Sequence, residues 1–365
     1  MKFWKTVKGV FKENMSESKY YRSNISTKPR ILIYGVGQYG KTVAKIALKK
    51  GWPIVGAVNR AGDKIGQDLG RILALDTEIG ITIEDCEIAD YLGMKADVGI
   101  VAISDYLKDT FPAYKHLLNA GINVICHGAQ ASFPQGVNPE ISEEIDVLAK
   151  KNKVTLTGTS LWDMTRVGAG LLVTGPCTDI KALSHKSITD VSKGGLHAMD
   201  FCGVGLKREV FEKRMNGDES PLAGFHTGNV LHVLYQLGFK VRKISEHNEA
   251  IFFDEPIYCK ALDKTLDPSI TVGTRIVSEV ETEEGITATL HTELRLLLPS
   301  EQEYVEWSVD GMPDCSIKVD RRNSVYHSAS TLFNRIPDVM SARPGLRLCS
   351  DLGPMQHTAL IPNLT

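Results

Sequence analysis

From residue 30 onward the chain alternates between two hydrophobic patterns. RILIY is a short, unbroken apolar run; after a glycine turn, QYGKTVAKIALKK places its apolar residues at helical spacing and closes at Gly51. WPIVGAVN, ADVGIVAISD, INVICHGAQ and KVTLTGTS are further buried-type runs, and YLKDTFPAYKHLLNAG and ISEEIDVLAKKN carry helical periodicity between them. Such alternation predicts a parallel, doubly wound sheet, a Rossmann-type α/β domain over residues 29–160. From about residue 175 the period changes. DIKALSHKSITDVS, EAIFFDEPIYCKA, GTRIVSEVETEEGITATLHTELRLLL and EYVEWSVDG read as strands, and EVFEKRMNGD and NVLHVLYQLG as helices. A second, α+β domain with a mixed sheet is expected over 161–327, for substrate binding and dimerisation. The segment SASTLFNRIPDVMSARPGLRLCSDLGPM reads as a helix and loop, and residues 328–365 are expected to return to the first domain.

Composition narrows the classes. A chain of 365 residues exceeds the roughly 250–300 that one core usually serves. A formal net charge of -2 argues against a nucleic-acid surface. No apolar run reaches the ~20 residues that span a bilayer. Seven cysteines without CxxC or metal-type spacing fit reduced, cytoplasmic thiols, and no metal site is expected. Residues 1–28 form a basic extension in which Phe3, Trp4, Val7, Val10 and Phe11 can share a helical face. That face suits a membrane surface, a partner or the protein's own body. It lacks the apolar centre of a secretory signal.

Gly35-Val36-Gly37-Gln38-Tyr39-Gly40 fits G-x-G-x-x-G between a strand and a helix, the context a dinucleotide site requires. Gly35 permits the turn, Gly37 lets backbone approach a pyrophosphate, and Gly40 lets helix and strand pack closely. Gln38 and Tyr39 belong to the same loop. The next strand ends in Asn59-Arg60, with Lys64 nearby, where an NAD site usually offers a carboxylate. An arginine there pairs with a 2′-phosphate, so NADP is favoured and NAD remains possible, unless Arg60 is only a solvated loop residue. Ser104, at another strand end, is expected against the cofactor.

Ligands on such sheets bind beyond the carboxyl ends of the strands. Asp105, His127, Gln130 and the stretch GTSLWDMTRVGAG lie there. In that stretch Trp162, Asp163 and Arg166 mark the crossover between domains. The segments also resemble those of the 2,4-diaminopentanoate dehydrogenases and related native amine dehydrogenases, which share a dihydrodipicolinate-reductase-like dinucleotide domain. The resemblance spans most of residues 30–355. It rests on GVGQYG, NPEISEEIDVLAKKNKVTLTGTS, the run from ALSHKSITDVSKGG to FCGVGLKREVFEKRM, and an N-x-IP-x-V-x-x-A-x-PGL-x-x-x-x-DL pattern from Asn334 to Leu352. It implies a homodimeric oxidoreductase that interconverts a small amine with a ketone and ammonia.

Two departures stand out. Cys126-His127-Gly128 replaces a Cys-Glu-Glu type motif, and Gly158-Thr159-Ser160-Leu161-Trp162-Asp163 replaces a Gly-Val-Asn-Pro-Gly type loop. C–N chemistry needs an anchor for a cation and a group to manage a proton. Asp163 is the leading anchor, or else a structural partner of Arg166; Asp105 is the second, or else a helix cap. His127 is the proton carrier. Trp162, Arg166, Gln130 and His197 are expected to bind substrate, Asp190 to support the His197 loop, and His226 and Asn229 to serve a turn or a helix cap, or else to reach the cleft as His197 does. An imine or carbonyl reductase that needs no ammonia, and a non-catalytic dinucleotide sensor, are the alternatives.

Overall fold

Ile31–Tyr34 (β1) is an inner strand of a parallel sheet, and all four residues are buried, as a strand covered on both faces requires. The computed structural model describes residues 28–217 and 220–358, so the aromatic face of the basic extension lies outside the described residues. Ile54–Asn59 (β2), Ile83–Asp85 (β3), Val98–Val101 (β4), Asn123–Cys126 (β5) and Thr155–Gly158 (β6) join β1 in this sheet. Gln38–Lys50 (α1), Leu69–Ile72 (α2), Leu107–Asn119 (α3) and Pro139–Lys151 (α4) connect them.

Beyond β6 the chain makes a 3-10 turn at Ser160–Trp162, a π-helical turn at Asp163–Gly168 and helix Ala169–Thr174 (α5). Strand Asp179–Asp190 (β7) follows, then helices Gly195–Phe201 (α6), Arg208–Met215 (α7) and Thr227–Gln236 (α8). The remaining strands are Val241–Ile251 (β8), Ile257–Cys259 (β9), Lys264–Leu266 (β10), Gly273–Thr282 (β11), Thr287–Arg295 (β12), Glu303–Met312 (β13) and Cys315–Arg321 (β14). Helix Ser324–Ser341 (α9) and the two-residue strand Gly345–Leu346 (β15) then bring the chain back to the first sheet.

The seven-stranded sheet has the order β15-β6-β5-β4-β1-β2-β3, parallel throughout. Alternation along β1 divides its core. Ile31 and Ile33 pack with Val43 and Ile46 of α1 and Leu332, Phe333 and Ile336 of α9. Leu32 and Tyr34 pack on the opposite face with Leu117 of α3 and Ile145 of α4. The six-stranded sheet has the order β14-β13-β7-β12-β11-β8 and is mixed, because β7 and β12 run parallel. Its core joins Trp307, Leu290 and Ile276 to Phe211 of α7 and Val233 of α8. The run GTRIVSEVETEEGITATLHTELRLLL is two strands, β11 and β12, turned at Gly285 with φ +84°. The segment around His197, SKGGLHAMD, is a 3-10 turn leading into α6 and not a loop.

Candidate active site

Each glycine of the first loop carries a distinct burden. Gly35 has φ +101°, and a Cβ there would lie 2.4 Å from Ile103 Cγ2. A Cβ on Gly40 would lie 1.9 Å from the Gly35 carbonyl oxygen, so α1 can approach the turn only without a side chain. Gly37 faces open space, and no side chain caps α1, so its first-turn N–H groups are free to meet a phosphate. Gly40→Ala is therefore expected to abolish dinucleotide binding by displacing the loop. Titration of NADPH fluorescence checks this, and an unchanged Kd would refute the packing argument.

Asn59 and Lys64 build this loop: Asn59 Oδ1 accepts the Val36 N–H at 3.1 Å, and Lys64 Nζ donates to the Val36 carbonyl at 2.7 Å. Arg60 is exposed and makes no ion pair among the described residues. Ser104 is used locally, donating to Asp109 Oδ2 at 2.8 Å and accepting the Tyr106 N–H at 3.1 Å.

A cavity of about 290 Å³ opens beyond the strand ends, between the domains. Tyr39 enters it from α1, Asp105 from β4, His127 from β5, and Ser160, Leu161 and Trp162 from β6. Arg166, Thr189, Phe201, Phe225, His226 and Ser328 close it from the crossover, the second domain and α9. Asp105 does not cap its helix. Its Oδ1 accepts the Ala129 N–H at 2.9 Å, and its Oδ2 has no hydrogen bond among the described residues. Gln130 takes the capping role, its Oε1 accepting the Leu107 N–H at 2.8 Å.

The His127 ring meets Tyr39 edge-on, with centroids 4.2 Å apart, and its carbonyl accepts Trp162 Nε1–H at 3.0 Å. Burial pushes the His127 pKa down, against the pull of Asp105, so the imidazole is neutral near pH 7. Tyr39 Oη is 2.6 Å from Ser328 Oγ, which also meets Ser160 Oγ. Ser160 has φ +95°, strained for a residue with a Cβ, and such strain collects at functional sites.

Several expected site residues stand elsewhere. Asp163 is 2% exposed and does not line the cavity. Both its oxygens bind Arg335 (2.6 Å from Nε and 2.9 Å from Nη2), and Thr159 Oγ1 donates to it at 2.7 Å. Its partner is thus Arg335 of α9, not Arg166, because the π-helical turn directs Asp163 toward the first domain. Burial works against the charge on Arg335, but the bonds and charge of Asp163, then Asp338, prevail and raise its pKa. Gln130 lines a separate groove, and His197 is exposed against Phe201 rather than in the cavity. Asp190 accepts Ser192 N–H at 3.1 Å, which supports the turn before α6. Asn229 serves a turn, donating to the His226 carbonyl at 2.7 Å, but His226 itself reaches the cavity and meets Trp162 edge-on at 5.3 Å.

Among the described residues no group of three or more His, Cys, Asp or Glu could hold a metal, and no helix is long and apolar enough to cross a membrane.

A family model described as the 2,4-diaminopentanoate dehydrogenase C-terminal domain matches residues 170–362. The 2,4-diaminopentanoate dehydrogenase of Acetoanaerobium sticklandii is 29% identical over 208 residues, 55% of this chain. That alignment covers 57% of the relative, so the chain spans little more than half the length of the curated protein it matches. An amine dehydrogenase structure from Mycobacterium smegmatis superposes with a TM-score of 0.82 at 27% identity, covering 92% of this chain and 99% of that one. GenD2 from gentamicin A biosynthesis, solved with NAD, shares the fold with a TM-score of 0.55 at 14% identity, covering 90% and 91% of the two chains.

Proposed function

The chain belongs to the 2,4-diaminopentanoate dehydrogenase family, and from that premise we propose that it is a nicotinamide-dependent oxidoreductase of the C–N bond in small amines. The observation that carries this reading is the pairing of Asp105 and His127 on one cavity wall, beside the open glycine loop. Oxidation of an amine releases a hydride from carbon, forms a C=N bond, and ends when water adds and ammonia leaves. A bound dinucleotide supplies the hydride acceptor, and the free amides of α1 with Gly37 would hold its phosphates.

The chain's own side chains do the rest. Asp105 anchors the cationic nitrogen through its free Oδ2, and neutral His127 takes or returns the proton there. Tyr39, Trp162, Phe201 and Phe225 exclude water. His127 thereby replaces an acidic residue of the relatives' motif, and Asp105, one strand away, keeps a carboxylate in the site. A homodimer paired through the second domain, in a cytoplasmic compartment suited to its free cysteines, completes the proposal.

We assign NADP as the preferred cofactor, since exposed Arg60 is available for a 2′-phosphate. Arg60→Ala is expected to raise KM for NADPH roughly 10- to 100-fold with little change for NADH, because one charge-assisted contact contributes about 1.5–3 kcal/mol. Steady-state kinetics with both cofactors check it, and equal losses would favour a loop role. The activity itself is tested in the oxidative direction. Small amines with NADP should release ammonia and NADPH in equal amounts, whereas binding without turnover would support a sensor.

A further inference from the structure

The ring of Tyr39 helps to close the cavity, but its hydroxyl belongs to a polar line that the Asp105 and His127 pair does not use. Tyr39 Oη lies 2.6 Å from Ser328 Oγ, which in turn meets Ser160 Oγ. The three side chains come from α1, α9 and the 3-10 turn after β6, and all of them line the cavity. Both serines are buried, and among the described residues the trio meets no acceptor outside itself. Three hydroxyls joined by two contacts carry three hydrogens and use two, so one O–H is left to donate elsewhere. The φ of +95° at Ser160, unfavourable for a residue with a Cβ, is maintained where its Oγ ends this line. Burial holds the Tyr39 hydroxyl well above its ordinary pKa; Ser328 and Ser160 oppose this, and Cys126 and Asp105 add to it. Tyr39 is therefore a neutral donor near pH 7, and its ring stands against that of His127 with centroids 4.2 Å apart.

Interconversion of a ketone and an amine handles an oxygen as well as a nitrogen. When ammonia adds, the C–N bond forms and the C=O π pair moves to oxygen, which gains negative charge. A proton lost by nitrogen neutralises that oxygen as the hydroxyl of a carbinolamine. A second proton lets the oxygen leave with its bonding pair as water, and the nitrogen lone pair forms the C=N bond. Ketone, ammonia and one proton thus give iminium and water before the hydride is transferred. A donor aimed at the oxygen where charge develops lowers this barrier. We propose that Tyr39 is the oxygen-handling catalytic residue of the cavity, donating to the carbonyl and carbinolamine oxygen, with Ser328 and Ser160 as the residues that position its hydroxyl. Ser160 donates to Ser328 and Ser328 to Tyr39, so that each bond polarises the next and the free hydrogen is the one on Tyr39. The ammonia steps rest on the function proposed above; a site for the substrate oxygen would also serve simple carbonyl reduction.

Two substrates separate an oxygen site from a structural role. 2-Pentanone with ammonium must have its oxygen protonated and released, whereas 2-methyl-1-pyrroline, a preformed cyclic imine, offers only nitrogen. With NADPH, Tyr39→Phe is expected to lose about 100-fold in kcat on the ketone and less than about 5-fold on the imine. Phenylalanine keeps the ring against His127, so packing is preserved. Ser328→Ala should show the same selectivity with a smaller loss, about 10-fold on the ketone, because Tyr39 keeps its hydroxyl but not its orientation. With NADPH deuterated at the nicotinamide C4, the isotope effect on ketone turnover should vanish in Tyr39→Phe, where the oxygen step becomes limiting, and persist on the imine. Equal losses on both substrates, or no loss on the ketone, would overturn the oxygen site. A wild type that reduces the imine alone would overturn it together with the use of ammonia, and turnover of neither substrate would reject the C–N chemistry and the oxygen site with it. Reduction of the ketone to the alcohol without ammonium, falling in both variants, would uphold the oxygen site and reject the C–N chemistry alone.

Discussion

Asp105→Asn is expected to lose between about 10²- and 10⁴-fold in kcat, the usual contribution of a positioned charged or acid–base group. The substitution preserves shape, and the amide oxygen can still accept the Ala129 N–H that orients the side chain at 2.9 Å. It removes the charge from Oδ2, which no described residue engages. Dinucleotide affinity should hardly change, since the glycine loop is built by Val36, Asn59 and Lys64 without Asp105. Single-turnover measurement at saturating cofactor separates the chemical step from binding. A variant with wild-type turnover would remove Asp105 from the mechanism.

Asp163→Asn should act on stability instead, with a loss of about 3–5 kcal/mol, as when one member of a buried ion pair is removed. Arg335 would remain 2% exposed, with Asp338 at 3.0 Å and the Cys349 and Leu352 carbonyls as its remaining partners. Asp338 places the effect toward the lower end. Urea unfolding should show a lower midpoint at constant slope. Because the Asp163–Arg335 pair joins the crossover turn to α9, folded variant should also lose some precision in the cavity, but far less than Asp105→Asn does. Wild-type stability with turnover abolished would restore Asp163 to a catalytic role.

These two aspartates mark where the sequence was legible. The parallel sheet, the mixed sheet and the glycine loop follow from local signals: apolar runs, helical spacing, and glycines with separate geometric tasks. Asp105 and His127 could be placed because a strand's carboxyl end is a topological position. The partner of Asp163 could not, since Arg335 lies 172 residues away, whereas Arg166 stands at a helical spacing that a π turn undoes. Gln130 misled for a similar reason. A glutamine at a strand end looks like a substrate contact until the N-terminus of α3, 23 residues back, is found against it.

The contribution of α9 was missed, although a signal existed. Ser324, Ser328, Thr331 and Arg335 recur at helical spacing along α9, and all four are buried. Such a polar stripe points to a site rather than to solvent. The crossover stretch hid its meaning differently: its acid stabilises the domain junction and its arginine faces the cavity, a division that only tertiary packing decides.

The C–N chemistry is tested most directly by offering small ketones with NADPH, with and without ammonium, and identifying the product by mass spectrometry. The expected result is NADPH oxidation that requires ammonium and yields the amine. Oxidation independent of ammonium that yields the alcohol would contradict it.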